Sequence, residues 1–247
     1  MTLEMSVVSV STEHRLPRYV GAAFLVQFVT SLTAGLLSAS VLTDGMPGVL
    51  TRVAEDPARI RVVVVLELVT SLAIMVLAAL LYQVLRDTGP AVALVGLVLW
   101  CAEALLLALS MLGVWALLDR GTAGAGVGSI SSADTAVGTF AFGLYEHTRD
   151  LDMLFFAVGA LLWYSLLLRS RVVPRWLAVW GLASVSLVLV ATLMLVWDRS
   201  LQPSVVLYAA YVPFELVVGL WLLIRGDSRP PAELPVDGAA LHVVEGR

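Results

Sequence analysis

Three glutamates lie inside long apolar stretches of this chain, where little water is available to solvate a carboxyl group. They are Glu67, Glu103 and Glu215. A charged side chain at the centre of a bilayer costs on the order of 2.5–3.5 kcal/mol on insertion scales, so such groups usually face the interior of a helix bundle. A protonatable carboxyl there can relay protons or bind a cation. It can also serve as hydrogen-bonding glue between close-packed helices.

Glu103 shares its predicted helix face with small residues. Gly96 precedes it by seven positions, and Ser110 and Gly113 follow by seven and ten. Residues at these intervals lie on one side of an α-helix. Small residues let a second helix approach closely, so we expect Glu103 to face the bundle interior.

Glu215 is accompanied by two tyrosines and a proline. Tyr208 and Tyr211 precede it on the same face, and Pro213 lies two residues before it. The proline frees a backbone carbonyl near Ala209, which protein or water must satisfy at membrane depth. A polar stripe on the first helix adds Gln27, Ser31, Ala34 and Ser38. We therefore predict a central cavity with these candidate lining residues: Glu103, Glu215, Tyr211, Tyr208 and Ser110.

A second group of candidates lies near the opposite end of the spans from the chain termini. Glu67, His147, Asp150 and Asp152 could meet there in an outer vestibule, since His147 and Asp150 are three residues apart on one predicted helix. Histidine with carboxylates suits a divalent metal or a proton switch. The alternative is a solvated helix start, in which Asp150 and Asp152 complement the helix N-terminus.

The composition and apolar runs predict the elements that hold these residues. Hydrophobic residues make up 60% of the chain, against about 45–50% in a soluble domain. A membrane-spanning helix needs about 20 apolar residues. The sequence predicts an all-α integral membrane bundle of six transmembrane helices. The predicted spans are about 19–43, 62–85, 90–118, 150–169, 175–197 and 203–225.

The first span is favoured as an uncleaved helix over a cleaved signal peptide, because its apolar run and its charged leader are both long. Residues 1–17 form a polar leader, residues 18–226 the transmembrane domain, and residues 227–247 a tail expected to be disordered and cytoplasmic. With six spans, nine of the 15 arginines fall on the side of the termini and six on the other. The positive-inside rule then predicts that both termini are cytoplasmic.

Several functional classes lack support in the sequence. Cys101 is the only cysteine, so a disulfide framework or a cysteine-rich metal site cannot form within the chain. A pI near 5.3 argues against nucleic acid as a partner. The glycine-rich stretch 121–128 has no following lysine and is interpreted as a loop. No familiar catalytic signature occurs, so a catalytic residue, a metal and a cofactor all stay unassigned.

Several blocks of residues resemble a known family. They are Pro174-Arg175-Trp176-Leu177, Pro213-Phe214-Glu215-Leu216, Gly219-Leu220-Trp221-Leu222-Leu223-Ile224-Arg225-Gly226, and the segment from Leu66-Glu67-Leu68 to Tyr82-Gln83-Val84-Leu85-Arg86. Together they resemble the bacterial membrane family called domain of unknown function 4386, over roughly residues 18–226. The resemblance implies a multi-helical protein of the bacterial plasma membrane and supplies no reaction.

Three functions stay open at this point. A small ion- or proton-coupled transporter would use the central glutamates as protonatable sites. A membrane-embedded enzyme would use the outer His/Asp/Glu cluster or the central pair. A structural or regulatory subunit needs neither. The expected partners are the lipid bilayer and either a second copy of the chain or another membrane protein.

Overall fold

The computed structural model describes residues 16–42, 45–127, 130–201 and 206–225, and every regular element in these residues is helical. The predicted tail at 227–247 and all but the last two residues of the predicted leader lie outside the described residues. The helices are α1 (Leu16–Ala39), α2 (Met46–Glu55), α3 (Pro57–Leu85), α4 (Pro90–Val127), α5 (Ser132–Ser170), α6 (Arg175–Trp197), α7 (Val206–Ala209) and α8 (Tyr211–Arg225), with a short 3₁₀ turn at Arg199–Leu201.

Six helical segments are long and apolar enough to cross a membrane. Five are α1, α3, α4, α5 and α6, and the sixth, Leu207–Arg225, combines most of α7 with α8. The predicted fold class, an all-α bundle of six spans, is thus confirmed for the described residues. α1 begins and α8 ends on one side, since a Cβ on Gly21 would lie 2.7 Å from the carbonyl oxygen of Gly219. We call this side the terminal face and the opposite side the far face.

The six spans form a ring in the order α1, α3, α4, α5, α6 and α8, with α8 returning to α1. The pattern of exposure along α3 shows which face of this helix points out of the ring and which points into it. Its outward stripe is Val62, Val65, Val69, Leu72 and Val76, each at least 40% exposed. Branched apolar side chains suit contact with lipid. Glu67 falls between these positions and lies on the buried face of the helix.

α4 and α5 run well past the predicted span ends on the far face. α4 continues to Val127, and α5 begins at Ser132, so most of the stretch between the predicted spans 90–118 and 150–169 is helical. Ser131 caps α5: its hydroxyl accepts from the Asp134 backbone N–H, and the Asp134 carboxylate accepts from that of Ser131. This reciprocal capping satisfies two backbone donors that would otherwise lack partners.

The sixth span is interrupted at Ala210, between α7 and α8. Pro213 lies in the first turn of α8 and has no backbone N–H to donate to the preceding turn. At the interruption, the carbonyl of Ala210 accepts a hydrogen bond from the Ser184 hydroxyl of α6 at 3.2 Å. A neighbouring helix therefore contributes a side-chain donor to the backbone where the sixth span is broken.

Aromatic side chains pack against one another inside the ring. We call this group the aromatic core; its members are Phe24, Trp100, Phe156, Trp163, Tyr164, Tyr211 and Phe214. Two glycines allow α4 and α5 to pack closely enough to hold its tryptophans. A Cβ on Gly96 would lie 2.9 Å from the Trp163 ring, and one on Gly159 would lie 2.5 Å from the Trp100 ring. Both distances are shorter than van der Waals contact, so each ring needs the opposing glycine.

A second, smaller core lies at the far face. The short amphipathic helix α2 buries Val49, Leu50 and Val53 against the extended parts of α4 and α5. These two helices thereby gain support where they run beyond the other spans. Four of the acidic residues predicted from the sequence are buried: Glu67, Glu103, Asp152 and Glu215.

Candidate functional site

A cavity of about 170 Å³ lies inside the ring, and Phe156 and Tyr211 of the aromatic core form part of its wall. We call it the central cavity. All six spans contribute side chains to its wall. The charged side chains that line it are Glu103 of α4, Arg149 and Asp152 of α5, and Glu215 of α8. Gln27, Tyr208 and Tyr211 add neutral polar groups.

The charged residues lie at two depths. At about 1.5 Å of helix per residue, Glu215 lies about 15 Å from the terminal end of α8, and Glu103 about 20 Å from that of α4. Arg149 lies about 31 Å from the terminal end of α5. The hydrocarbon core of a bilayer is about 30 Å thick. The cavity therefore reaches from near the far-face interface to the middle of the membrane.

Glu215 is held by neutral hydrogen-bond donors. Its Oε1 accepts from the Tyr211 hydroxyl at 2.9 Å and from the Gln27 side-chain amide at 3.2 Å. The Tyr211 hydroxyl also lies 2.9 Å from that of Tyr164. Since Tyr211 has one hydroxyl proton and gives it to Glu215, Tyr164 must be the donor in the second bond. A directed chain of donors thus runs from the aromatic core to this carboxyl.

Glu103 is buried but incompletely satisfied. Only 5% of the residue is exposed. Its Oε2 has no hydrogen-bond partner within the described part of the chain. Native proteins leave few buried polar atoms in this condition. Because Glu103 lines the cavity, a small rotation of its carboxyl group would bring the unfilled acceptor within reach of a ligand or a water molecule.

Arg149 joins two carboxylates at the far-face end of the cavity. Its guanidinium lies 3.0 Å from the Asp152 carboxylate and 3.9 Å from that of Glu67. The two acidic side chains are only 5% and 6% exposed, while that of Arg149 is 27% exposed. We call these three residues the Arg149 cluster. An arginine in this geometry offsets part of the cost of burying the carboxylates.

The hydroxyls of Ser31 and Thr70 complete the polar part of the wall, and the remaining lining residues are apolar. The apolar residues are Ile74, Leu107, Met153, Phe156, Val188 and Val212. A pocket with a mainly hydrophobic wall and a few convergent polar groups is the usual form of a small-molecule site. The central cavity has this form.

The outer vestibule candidates do not meet at one point. Glu67 and Asp152 share Arg149, whereas Asp150 pairs with Arg199, which also lies 2.9 Å from Glu146. His147 is exposed, and its Nδ1 lies 2.6 Å from the carbonyl oxygen of Gly143 in the preceding turn. Across residues 16–42, 45–127, 130–201 and 206–225, no three His, Cys, Asp or Glu side chains are grouped so that they could hold a metal ion.

The central cavity candidates are mostly together. Glu103, Glu215, Tyr211 and Tyr208 all line the cavity. Ser110 is fully buried outside its wall and donates to the Leu107 carbonyl at 2.7 Å. This bond within its own helix satisfies the hydroxyl, so Ser110 needs no cavity partner.

Sequence reasoning missed the role of two residues. Arg149 lies just outside the predicted fourth span, which begins near residue 150, and was given no partner, yet it lines the cavity from α5. Its spacing of three residues from Asp152 could have indicated an ion pair, since side chains three residues apart lie next to each other on a helix. Tyr164 is a single hydroxyl in an apolar run, and nothing in its local sequence indicates the bond to Tyr211.

The comparisons with known proteins agree with the resemblance noted in the sequence. No curated protein and no solved structure matches the chain. The model of the family described as "Domain of unknown function (DUF4386)" matches residues 19–226, which include all six spans. The chain is thus a multi-pass membrane protein, and it belongs to this family.

Proposed function

We propose that this protein is a small carrier that exchanges protons for a cation through the central cavity. One observation carries the proposal: Glu103, Asp152 and Glu215, from three different helices, line one cavity together with a single arginine. Acidic groups therefore outnumber the basic group in a space that extends to mid-membrane. Ionisable residues at such depth are typical of ion and proton pathways.

The coupling follows from the cost of a bare carboxylate in hydrocarbon. A carboxyl group at the depth of Glu103 avoids that cost either by holding a proton or by pairing with a bound cation. One carboxyl group cannot hold the proton and pair with the cation at the same time. When the cation enters, the proton passes to water in the cavity, and when the cation leaves, the proton returns. Competition for one carboxyl group thus couples the movement of the cation in one direction to the movement of the proton in the other.

The packing between the cavity and the terminal face supports a carrier more than a channel. Phe24, Trp163 and Tyr164 of the aromatic core are fully buried and are not part of the cavity wall. The broken sixth span lies beside the site, and interrupted helices are a recurring feature of substrate sites in transporters. We infer that α8 moves relative to α6 at Ala210 when the cavity opens to the terminal face.

We also propose a membrane and an orientation for the chain. The resemblance to a bacterial family favours the bacterial plasma membrane. The arginine distribution favours cytoplasmic termini, which would open the cavity to the outside. A reporter fused after Arg225 should be active in the cytoplasm; activity on the outer side would reverse the orientation.

A membrane-embedded enzyme has less support. The outer His/Asp/Glu cluster would need His147 beside the carboxylates, but this side chain is exposed and bonds to its own helix. Asp150 is engaged by Arg199. The geometry therefore supports binding and exchange better than acid–base chemistry at the far face.

The test is a flux measurement in proteoliposomes that enclose a pH-sensitive dye. Sodium, potassium, tetramethylammonium and benzyltrimethylammonium are added outside in turn, because none of them crosses lipid readily as a neutral species. At least one should cause the lumen to lose protons, and Glu103→Gln should abolish the response. Ser110→Ala is the matched control on the same helix and should respond like the wild type. If none of the four cations changes the lumen pH of proteoliposomes that contain the wild-type protein, the exchange function is overturned.

A further inference from the structure

The central cavity has an unfilled position for a ligand that is both cationic and able to donate hydrogen bonds. We infer that its ligand is a small protonated amine with a compact apolar body, and that the ammonium group binds Glu103. This inference rests on the proposed function only in treating the amine as the cation that is exchanged. Binding of the amine to the cavity is tested independently of transport.

The hydrogen-bond partners of the two central glutamates assign the ammonium position. Glu215 Oε1 already accepts from Tyr211 and Gln27. Glu103 Oε2 is buried and has no partner in the described ranges. An ammonium group supplies donors and a positive charge at once. Charge-assisted hydrogen bonds of this kind are roughly twice as strong as neutral ones, so the ligand should bind at Glu103 rather than at Glu215.

Arg149 does not neutralise the carboxyl groups of Glu103 and Glu215, so its positive charge does not replace a bound cation. The guanidinium lies against Asp152 and Glu67. Within the cavity wall it is the single basic side chain among the described residues, against three acidic ones. An anion would meet Glu103 and Glu215 directly. A cation gains attraction from both, and the low dielectric of the site strengthens that attraction.

The apolar wall sets the size and shape of the rest of the ligand. Phe156, Val188 and Val212 lie beside the acidic residues on the same surface. The volume of about 170 Å³ is close to that of an engineered cavity of about 150 Å³ that binds benzene. Aromatic faces from Phe156 and Tyr211 also attract ammonium groups. A single ring or a short branched chain that carries one amine fits these limits.

The test uses benzylammonium as the probe, with the purified full-length protein in detergent and titration calorimetry. Benzyl alcohol and benzoate have nearly the same shape but are neutral and anionic. Benzylammonium should bind saturably, and benzyl alcohol at least about tenfold more weakly, since it loses a charge-assisted bond. Benzoate should not bind. Equal affinity for benzylammonium and benzyl alcohol would overturn the inference.

Two variants assign the site. Glu103→Gln should weaken benzylammonium binding by at least about tenfold and leave benzyl alcohol binding unchanged. Glu215→Gln should have a smaller effect, because Glu215 Oε1 is already satisfied, and Ser110→Ala should have none. A larger loss in Glu215→Gln than in Glu103→Gln would overturn the assignment to Glu103.

A measurement on the wild-type protein covers the case in which Glu103→Gln does not fold. A buried carboxyl adds to a hydrophobic carbodiimide, and an amine bound beside the activated carboxyl then displaces the urea and forms an amide. With benzylamine as the amine, mass spectrometry should find the benzylamide at Glu103 in preference to Glu215. Benzylamide at Glu215 and none at Glu103 would overturn the inference.

The outcomes separate this inference from the carrier function. Benzylammonium binding without any cation-driven change in lumen pH would overturn the carrier and support the amine site. A pH change driven by another cation, without benzylammonium binding, would overturn the amine site and support the carrier.

Discussion

Two clusters in this molecule have the same composition, one arginine between two carboxylates, but differ in burial. In the Arg149 cluster the acidic side chains of Glu67 and Asp152 are 6% and 5% exposed. In the second, Arg199 contacts Glu146 and Asp150, whose side chains are 37% and 18% exposed. We call this second group the Arg199 cluster. It joins the turn after α6 to α5 at the far face.

The comparison separates the effect of charge from the effect of burial. An exposed ion pair gains little, because water already solvates both charges and salt screens their attraction. A buried pair also gains little over an apolar core, yet removing one partner leaves an uncompensated charge in a low-dielectric site. The Arg149 cluster should therefore be sensitive to loss of its arginine, and the Arg199 cluster tolerant.

The largest effect should come from Arg149→Ala. It leaves Glu67 and Asp152 buried without their cation, so we expect a loss of about 3–5 kcal/mol in the free energy of unfolding. Unfolding of the purified protein in mixed micelles by a denaturing detergent measures this loss. The triple variant Arg149→Met, Glu67→Gln, Asp152→Asn removes the charges together and should recover most of it. A triple variant as unstable as Arg149→Ala would show that packing, and not unpaired charge, governs the site.

Glu215 extends the comparison to a carboxyl with neutral partners. Glu215→Leu removes the acceptor of Tyr211 and Gln27, so we expect a loss of about 1–3 kcal/mol from buried donors left unsatisfied. Glu215→Gln keeps an oxygen for these donors and should cost less. Thermal stability of both variants in detergent measures the difference. If Gln and Leu were equally tolerated, no polar partner would depend on Glu215.

The sequence predicts the fold well because the bilayer imposes a simple rule. A span needs a long apolar run, and charged residues interrupt such runs. That rule identified the six spans, and the periodic exposure along α3 explains why Glu67 turned inward. It does not predict where helices end beyond the membrane. α4 and α5 continue in water because α2 packs against them and Ser131 caps α5, and neither effect depends on hydropathy.

The candidate site is predictable only in part, for a similar reason. Intramembrane carboxyls such as Glu103 and Glu215 stand out in an apolar run. Their partners come from other helices, 188 residues away in the case of Gln27 and Glu215. Arg149 was left outside the predicted fourth span because span prediction stops where charges begin. A hydropathy pattern therefore does not predict a buried ion pair at the end of a span.

The smallest effect should come from Arg199→Ala, and this prediction tests the comparison most directly. The Arg199 side chain is 34% exposed and Glu146 is 37% exposed, so water can solvate the acids once the arginine is gone. We expect a loss of about 0–1 kcal/mol in the free energy of unfolding, which should shrink further at high salt as the pair is screened. The same micelle unfolding experiment, at low and high ionic strength, measures it. A loss as large as that of Arg149→Ala, independent of salt, would mean that the Arg199 cluster is sealed from water. Burial would then no longer explain the difference between the two arginines.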